Sequence, residues 1–141
     1  RLERSAVTAE GATVATARLA RGDRFVILLE VAATTAGAHE VIVTDLLPAG
    51  LEIDAVLGPE DAATGAAYAA LGPLSATRVT EARDDRFLAA VRLDGRVSAR
   101  VAYLVRAVTP GDFARPGAVA EDMYRPAVHA RTAPGRLVVT P

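Results

Sequence analysis

Residues able to do chemistry are few in this chain and poorly placed for catalysis. The serines are Ser5, Ser75 and Ser98, and none stands in a G-x-S-x-G elbow that would present an activated hydroxyl. His39 lies beside a predicted turn and His129 in a late predicted strand. Both read as exposed or edge residues rather than as a triad base or a zinc pair. Cys is absent, which removes thiol nucleophiles, thiolate metal sites and disulfides. Asp84-Asp85 and Glu121-Asp122 fall at turns and strand ends, where Asp caps local backbone. No D-x-D-x-D-G loop supplies the roughly six to eight oxygens that calcium takes. There is no G-x-G-x-x-G, and no Lys exists to serve a phosphate loop. The expectation is a chain that is not an enzyme and holds no metal and no cofactor.

One stretch stands apart: Glu121-Asp122-Met123-Tyr124-Arg125-Pro126. It holds the only Met of the chain and one of its three Tyr residues. Two large, adaptable side chains between charges and a Pro suggest an exposed, stiff turn. Met adapts its shape and Tyr offers area with a polar tip, so both are favoured where proteins touch. By chemistry alone the pair suits a contact surface and the plugged end of a domain equally.

Composition narrows the partners. The chain has 141 residues, the size of one domain, with 16 basic and 17 acidic residues and a net charge of −1. Every basic residue is Arg, and no run of like charge exceeds two residues. That balance gives no electrostatic case for nucleic acid or for a polybasic membrane contact. The apolar fraction is 51%, with 31 Ala and only 4% aromatic residues, so aliphatic side chains must carry the core. The apolar run Phe25–Leu29 is far too short to span a bilayer. Asn is absent, which removes N-glycosylation. The chain opens on Arg1 without an initiator Met, as a piece of something larger would.

The elements that must position these residues are strands. Apolar residues alternate along Arg24–Ala33, Glu40–Leu46, Phe87–Leu93 and Val97–Ala107, with Arg and Ser on the opposite face of the last two. Period two with one dry face marks antiparallel strands. Further strands are expected at Thr13–Leu19, Leu51–Val56, Ala118–Glu121, Val128–Thr132 and Arg136–Thr140, eight or nine in all. Asp94-Gly95 predicts a hairpin, Pro110-Gly111 and Pro134-Gly135 predict type II turns, and Leu47–Gly50 predicts a reversal. Tyr103 reads as a core residue. Gly58-Pro59-Glu60-Asp61 opens an Ala-rich run that Gly72-Pro73 closes, which predicts one short helix covering the sandwich. The fold class expected is all-β, an antiparallel immunoglobulin-like β-sandwich formed by residues 1–141 as one domain.

Six stretches in order carry a resemblance: Gly22–Val31, Val43–Ile53, Arg83–Ala90, Tyr103–Phe113, Arg115–Pro126 and Ala130–Val139. Together they resemble the C-terminal macroglobulin-like domain, the tenth in the usual count, of bacterial alpha-2-macroglobulins. Leu57–Thr80 departs from that family's pattern, being rich in Ala. The resemblance implies a domain of a periplasmic, membrane-anchored protease trap. In that family an attacking protease cuts a bait region, and a thioester in a separate domain captures it. It further implies that this domain has no receptor to bind, packs against the thioester domain of the same parent chain, and shields the thioester from water. The shielding residues carried over by the resemblance are Met123 and Tyr124, with Asp122 and Arg125 beside them. Proteases are then targets of the parent, and no direct membrane contact and no small-molecule substrate are expected. The thioester-forming Cys and Gln cannot lie here, since the chain has neither. The competing reading is a stand-alone immunoglobulin-like adhesion or interaction module that shares the Asp45–Ile53 phrase. A third is a hydrolase or metal-dependent domain using His39 or His129.

Overall fold

The computed structural model describes residues 1–95 and 98–141. Its strands are β1 (Leu2–Val7), β2 (Leu19–Ala20), β3 (Arg24–Ala32), β4 (Ala38–Leu46), β5 (Leu51–Leu57) and β6 (Val79–Arg83). They continue with β7 (Arg86–Asp94), β8 (Ser98–Ala107), β9 (Gly111–Arg115), β10 (Val119–Asp122), β11 (His129–Arg131) and β12 (Gly135–Thr140). The β-branched, alternating runs at β3, β4, β7 and β8 form the long strands, as period two demands. Val97, expected to open the β8 run, lies outside the described residues.

These strands build an antiparallel sandwich. A four-stranded sheet runs β1-β3-β8-β5 and a five-stranded sheet runs β11-β10-β4-β7-β6. A small third sheet, β2-β12-β9, adds Leu19, Leu137 and Val139 to the core, and its short β2–β12 pairing is parallel. The dry faces meet in one core: Ile27, Leu29, Val101 and Val105 from one sheet, Val41, Val43 and Val91 from the other. Phe87 and Tyr103 stack across it, ring centroids 4.4 Å apart at 21°. That geometry is worth about 1 kcal/mol beyond burial.

Several local expectations need correction. Residues 58–74 form no α-helix. Two 3₁₀ turns, Pro59–Ala62 and Ala69–Leu71, take its place. Gly65 lies between them at φ +83°, a conformation that interrupts a right-handed helix. The segment still covers a sheet: Ala62, Leu71 and Leu74 pack on Val26 and Ala102. Asp94-Gly95 makes no hairpin. Gly95 takes φ +73°, but Asp94 does not turn positive, and β7 and β8 belong to different sheets. Neither Pro-Gly pair shows the φ near +80° that a type II turn needs: Gly111 sits at +150° and Gly135 has no positive φ. Both glycines instead open strands of the third sheet. Of Thr13–Leu19, only a bridge from Thr13 to Val7 and the start of β2 are extended pairing. The Leu47–Gly50 reversal forms as expected, Leu51 N–H donating to the Pro48 carbonyl at 3.1 Å.

Candidate functional site

The stretch singled out by composition becomes the loop joining β10 to β11. The two strands pair antiparallel with Glu121 opposite His129, so residues 123–128 must reverse the chain. Strand alternation points Ala120 and Asp122 inward, which leaves a carboxylate at the dry end of β10, 2% exposed. Asp122 meets that constraint by accepting three hydrogen bonds. Oδ1 accepts the Tyr124 N–H at 2.9 Å and the Arg125 N–H at 3.1 Å. Oδ2 accepts from His39 Nδ1 at 2.8 Å. An ionised carboxylate only accepts, so Nδ1 carries the proton.

Other backbone bonds finish the loop. Met123 N–H donates to the Glu40 carbonyl at 2.8 Å, and Val128 N–H to the Arg125 carbonyl at 2.8 Å. Pro126 has no N–H to satisfy and fixes its own φ. The backbone is thus held from both ends while its large side chains project: Met123 is 47% exposed and Tyr124 78%. Arg125 is exposed beside them. The hydrogen bond from His39 is the largest influence holding the Asp122 carboxyl below the usual carboxylate range. The Tyr124 N–H acts the same way, against the opposing effect of burial.

His39 corrects the sequence expectation. It lies in β4, 3% exposed, on the same face as Val41, Val43 and Asp45. Its Nε2 lies 3.2 Å from Thr35 Oγ1. His129 is exposed as expected, with Nδ1 3.1 Å from the Ala127 carbonyl. The fold brings both histidines to one cavity of about 60 Å³ behind the loop, shared with Thr35, Val41 and Asp122. Among the described residues no three His, Cys, Asp or Glu side chains are grouped to hold a metal.

A second buried carboxylate explains how the sandwich is clamped. Asp45 Oδ1 pairs with Arg4 Nη1 at 2.6 Å, and Oδ2 accepts the Tyr103 hydroxyl at 2.5 Å. Arg4 Nη1 also donates to the Pro116 carbonyl at 2.9 Å. Burial first and Asp45 second push the Tyr103 phenol well above its ordinary pKa, so it remains a neutral donor. Arg115 is lowered by burial and then by Arg4. This network joins β1 and β8 of one sheet to β4 of the other. It is structural, and the sequence reading missed it.

A family model described as the bacterial alpha-2-macroglobulin MG10 domain matches residues 1–127. The alpha-2-macroglobulin of Xylella fastidiosa (strain 9a5c) is 42% identical over 108 residues, covering 71% of this chain and 7% of that protein. The alpha-2-macroglobulin of Escherichia coli (strain K12) is 32% identical over 145 residues, covering 98% of this chain and 9% of that protein. The crystal structure of Salmonella alpha-2-macroglobulin reacted with methylamine superposes with a TM-score of 0.83 at 32% identity, covering 99% of this chain and 9% of that one. The chain thus spans less than a tenth of the length of these relatives.

Proposed function

The chain belongs to the family of bacterial alpha-2-macroglobulin MG10 domains, and from that premise we propose that its 122–128 loop packs against the thioester domain of the same parent chain. There Met123 and Tyr124 keep water from the thioester until the parent is activated. The observation that carries this reading is the pairing of a fixed backbone with projecting side chains. Asp122 holds the Tyr124 and Arg125 amides while Met123 and Tyr124 remain 47% and 78% exposed. Large side chains on an ordered loop bind at low entropic cost. An apolar cover with a phenol tip also excludes water, and water hydrolyses a thioester to a carboxylate and a free thiol. The Salmonella relative was solved after reaction with methylamine. A primary amine attacks the carbonyl carbon of a thioester, forming an amide as the C–S bond breaks and the thiol leaves.

The same reading makes the domain non-catalytic, with no cofactor, and makes proteases the targets of the parent rather than of this domain. We further propose, on the family resemblance alone, that the parent is periplasmic and anchored to the membrane.

The test uses the intact parent with Met123→Ala and Tyr124→Ala combined. Free-thiol release without protease is followed over time. Release about tenfold faster than wild type is expected, the effect of removing about 1.4 kcal/mol of protection. An unchanged rate, or a wild type with no releasable thiol, overturns the shielding role.

A further inference from the structure

The two outer faces of the sandwich are finished differently. Residues 58–74 cover the four-stranded sheet, whereas among the described residues no element packs over the five-stranded one. Its outward residues follow from register: Thr44 stands between Val119 and Leu88, and Ile42 between Glu121 and Ala90. Ile42, Thr44, Val119 and Leu88 are half-buried by neighbours on their own sheet and otherwise open. A concavity of about 310 Å³ lies among Ile42, Thr44, Val119, Glu121 and Met123. Met123 is therefore both a loop side chain and a wall of this hollow, which makes the two surfaces continuous.

The charges single out one residue. Glu40, on the same face, is bridged by Arg92 at 3.2 Å and Arg78 at 3.6 Å. Glu121 makes no ion pair among the described residues, although it shares the hollow with Ile42, Val119 and Met123. A carboxylate beside apolar walls is best matched by a cation from outside, and charge complementarity of this kind sets register between docked surfaces.

We propose that this hollow receives the same domain of the parent chain that the loop contacts, which inserts an apolar side chain between Ile42 and Val119 and sets an Arg or Lys on Glu121. The inference rests on the loop reading above. It adds a sheet-face contact to a loop contact and names the chemistry of the occupant. More than nine-tenths of the length of the relatives lies outside the region matched by this chain, so neighbouring domains are available to fill it.

The test is carboxylate labelling of the uncut, full-length parent with a carbodiimide and glycinamide, read by mass spectrometry. In this chain Glu10 and Glu121 are both exposed. In the parent, Glu121 is expected to label about tenfold more slowly than Glu10, as a desolvated interface residue does. Equal labelling overturns the proposal. Val119→Asn in the parent should bring Glu121 back to within about twofold of Glu10, because an uncharged polar group in the hollow disfavours the apolar side chain and, opposite Thr44 rather than Glu121, adds no charge to pair with that carboxylate. Protection that survives this substitution also overturns the proposal. Hydroxyl-radical oxidation of Met123 and Tyr124 in the same wild-type sample reports the loop separately. A protected loop beside a freely labelled Glu121 sinks the sheet-face contact alone. A freely oxidised loop beside a protected Glu121 sinks the loop reading and with it the identity of the occupant, and leaves only a covered sheet face.

Discussion

The face of β3 and β8 and the face of β4 and β10 are built from similar alternating strands and end in opposite conditions. On the first, Leu57, Ala62, Leu71 and Leu74 bury themselves against Val26 and Ala102, forming a second small core outside the main one. On the second, Ile42, Thr44 and Val119 stay half-open, and the adjoining loop lifts Met123 and Tyr124 into solvent. The covered face spends apolar side chains on stability. The open face holds its loop with a carboxylate and backbone amides, which fix geometry and leave the apolar side chains free for a partner. One face is thus finished within the domain, and the other is where the proposed neighbour would dock.

The sharpest way to break that comparison is to truncate one leucine on each face. Leu71→Ala should lower unfolding stability by about 2–5 kcal/mol, because Leu71 is buried and its removal leaves a cavity under the 3₁₀ turns. Leu88→Ala on the half-open face should cost at most about 1 kcal/mol. Urea denaturation of both variants checks the pair. Equal losses would mean that the 58–74 segment is not acting as a cover, or that the other face is not open.

How legible this was in the sequence differs by element. The strands of both faces could be read because period two is local, and Phe25, Ile27 and Leu29 declare their face without help. The 58–74 cover was located correctly and given the wrong conformation: its Ala content favours a helix, but Gly65 at φ +83° splits it into two short turns. Asp94-Gly95 reports a reversal, and no turn signal says whether the strands it joins share a sheet. Met123 and Tyr124 were legible as turn residues because Pro126 and the flanking charges argue against strand interior, but chemistry alone left open whether they project or plug the end of the sandwich. His39 was not, since its partner Asp122 lies 83 positions away. Its parity with Val41, Val43 and Asp45 was a usable signal, lost by starting the strand at Glu40. A buried polar residue at either end of that row required a partner.

Acid should distinguish the two faces next. The folded-state pKa of Asp122 lies below its unfolded value, so the stabilisation it gives is complete above the unfolded carboxylate pKa of about 3.9 and disappears as pH falls through the folded value. Below about pH 4 the Tyr124 and Arg125 amides should therefore exchange faster, after correction for the intrinsic rate. The Leu71 and Gly72 amides, bonded to the carbonyls of Tyr68 and Ala69, have no such carboxylate and should not follow. Hydrogen exchange between pH 3 and pH 6 reads both sets, with ranges chosen around that carboxylate value of about 4. Asp122→Asn should flatten the loop's pH dependence. A loop that ignores acid would show that its order comes from packing, as on the covered face.

The smallest effect is the most telling. Met123→Ala with Tyr124→Ala should change the unfolding free energy of this chain by no more than about 0.5 kcal/mol, since both side chains are largely exposed. The bonds that order the loop run through the Asp122 carboxylate and the backbone amides of Met123, Tyr124 and Arg125, and alanine keeps every one of them. A loss comparable to Leu71→Ala would mean that the pair plugs the end of the sandwich after all. Near-neutrality would mean that the open face carries side chains its own domain does not use. On the proposed reading their worth then appears when another surface is present, as a rate of thiol release in the parent and not as stability of the fold.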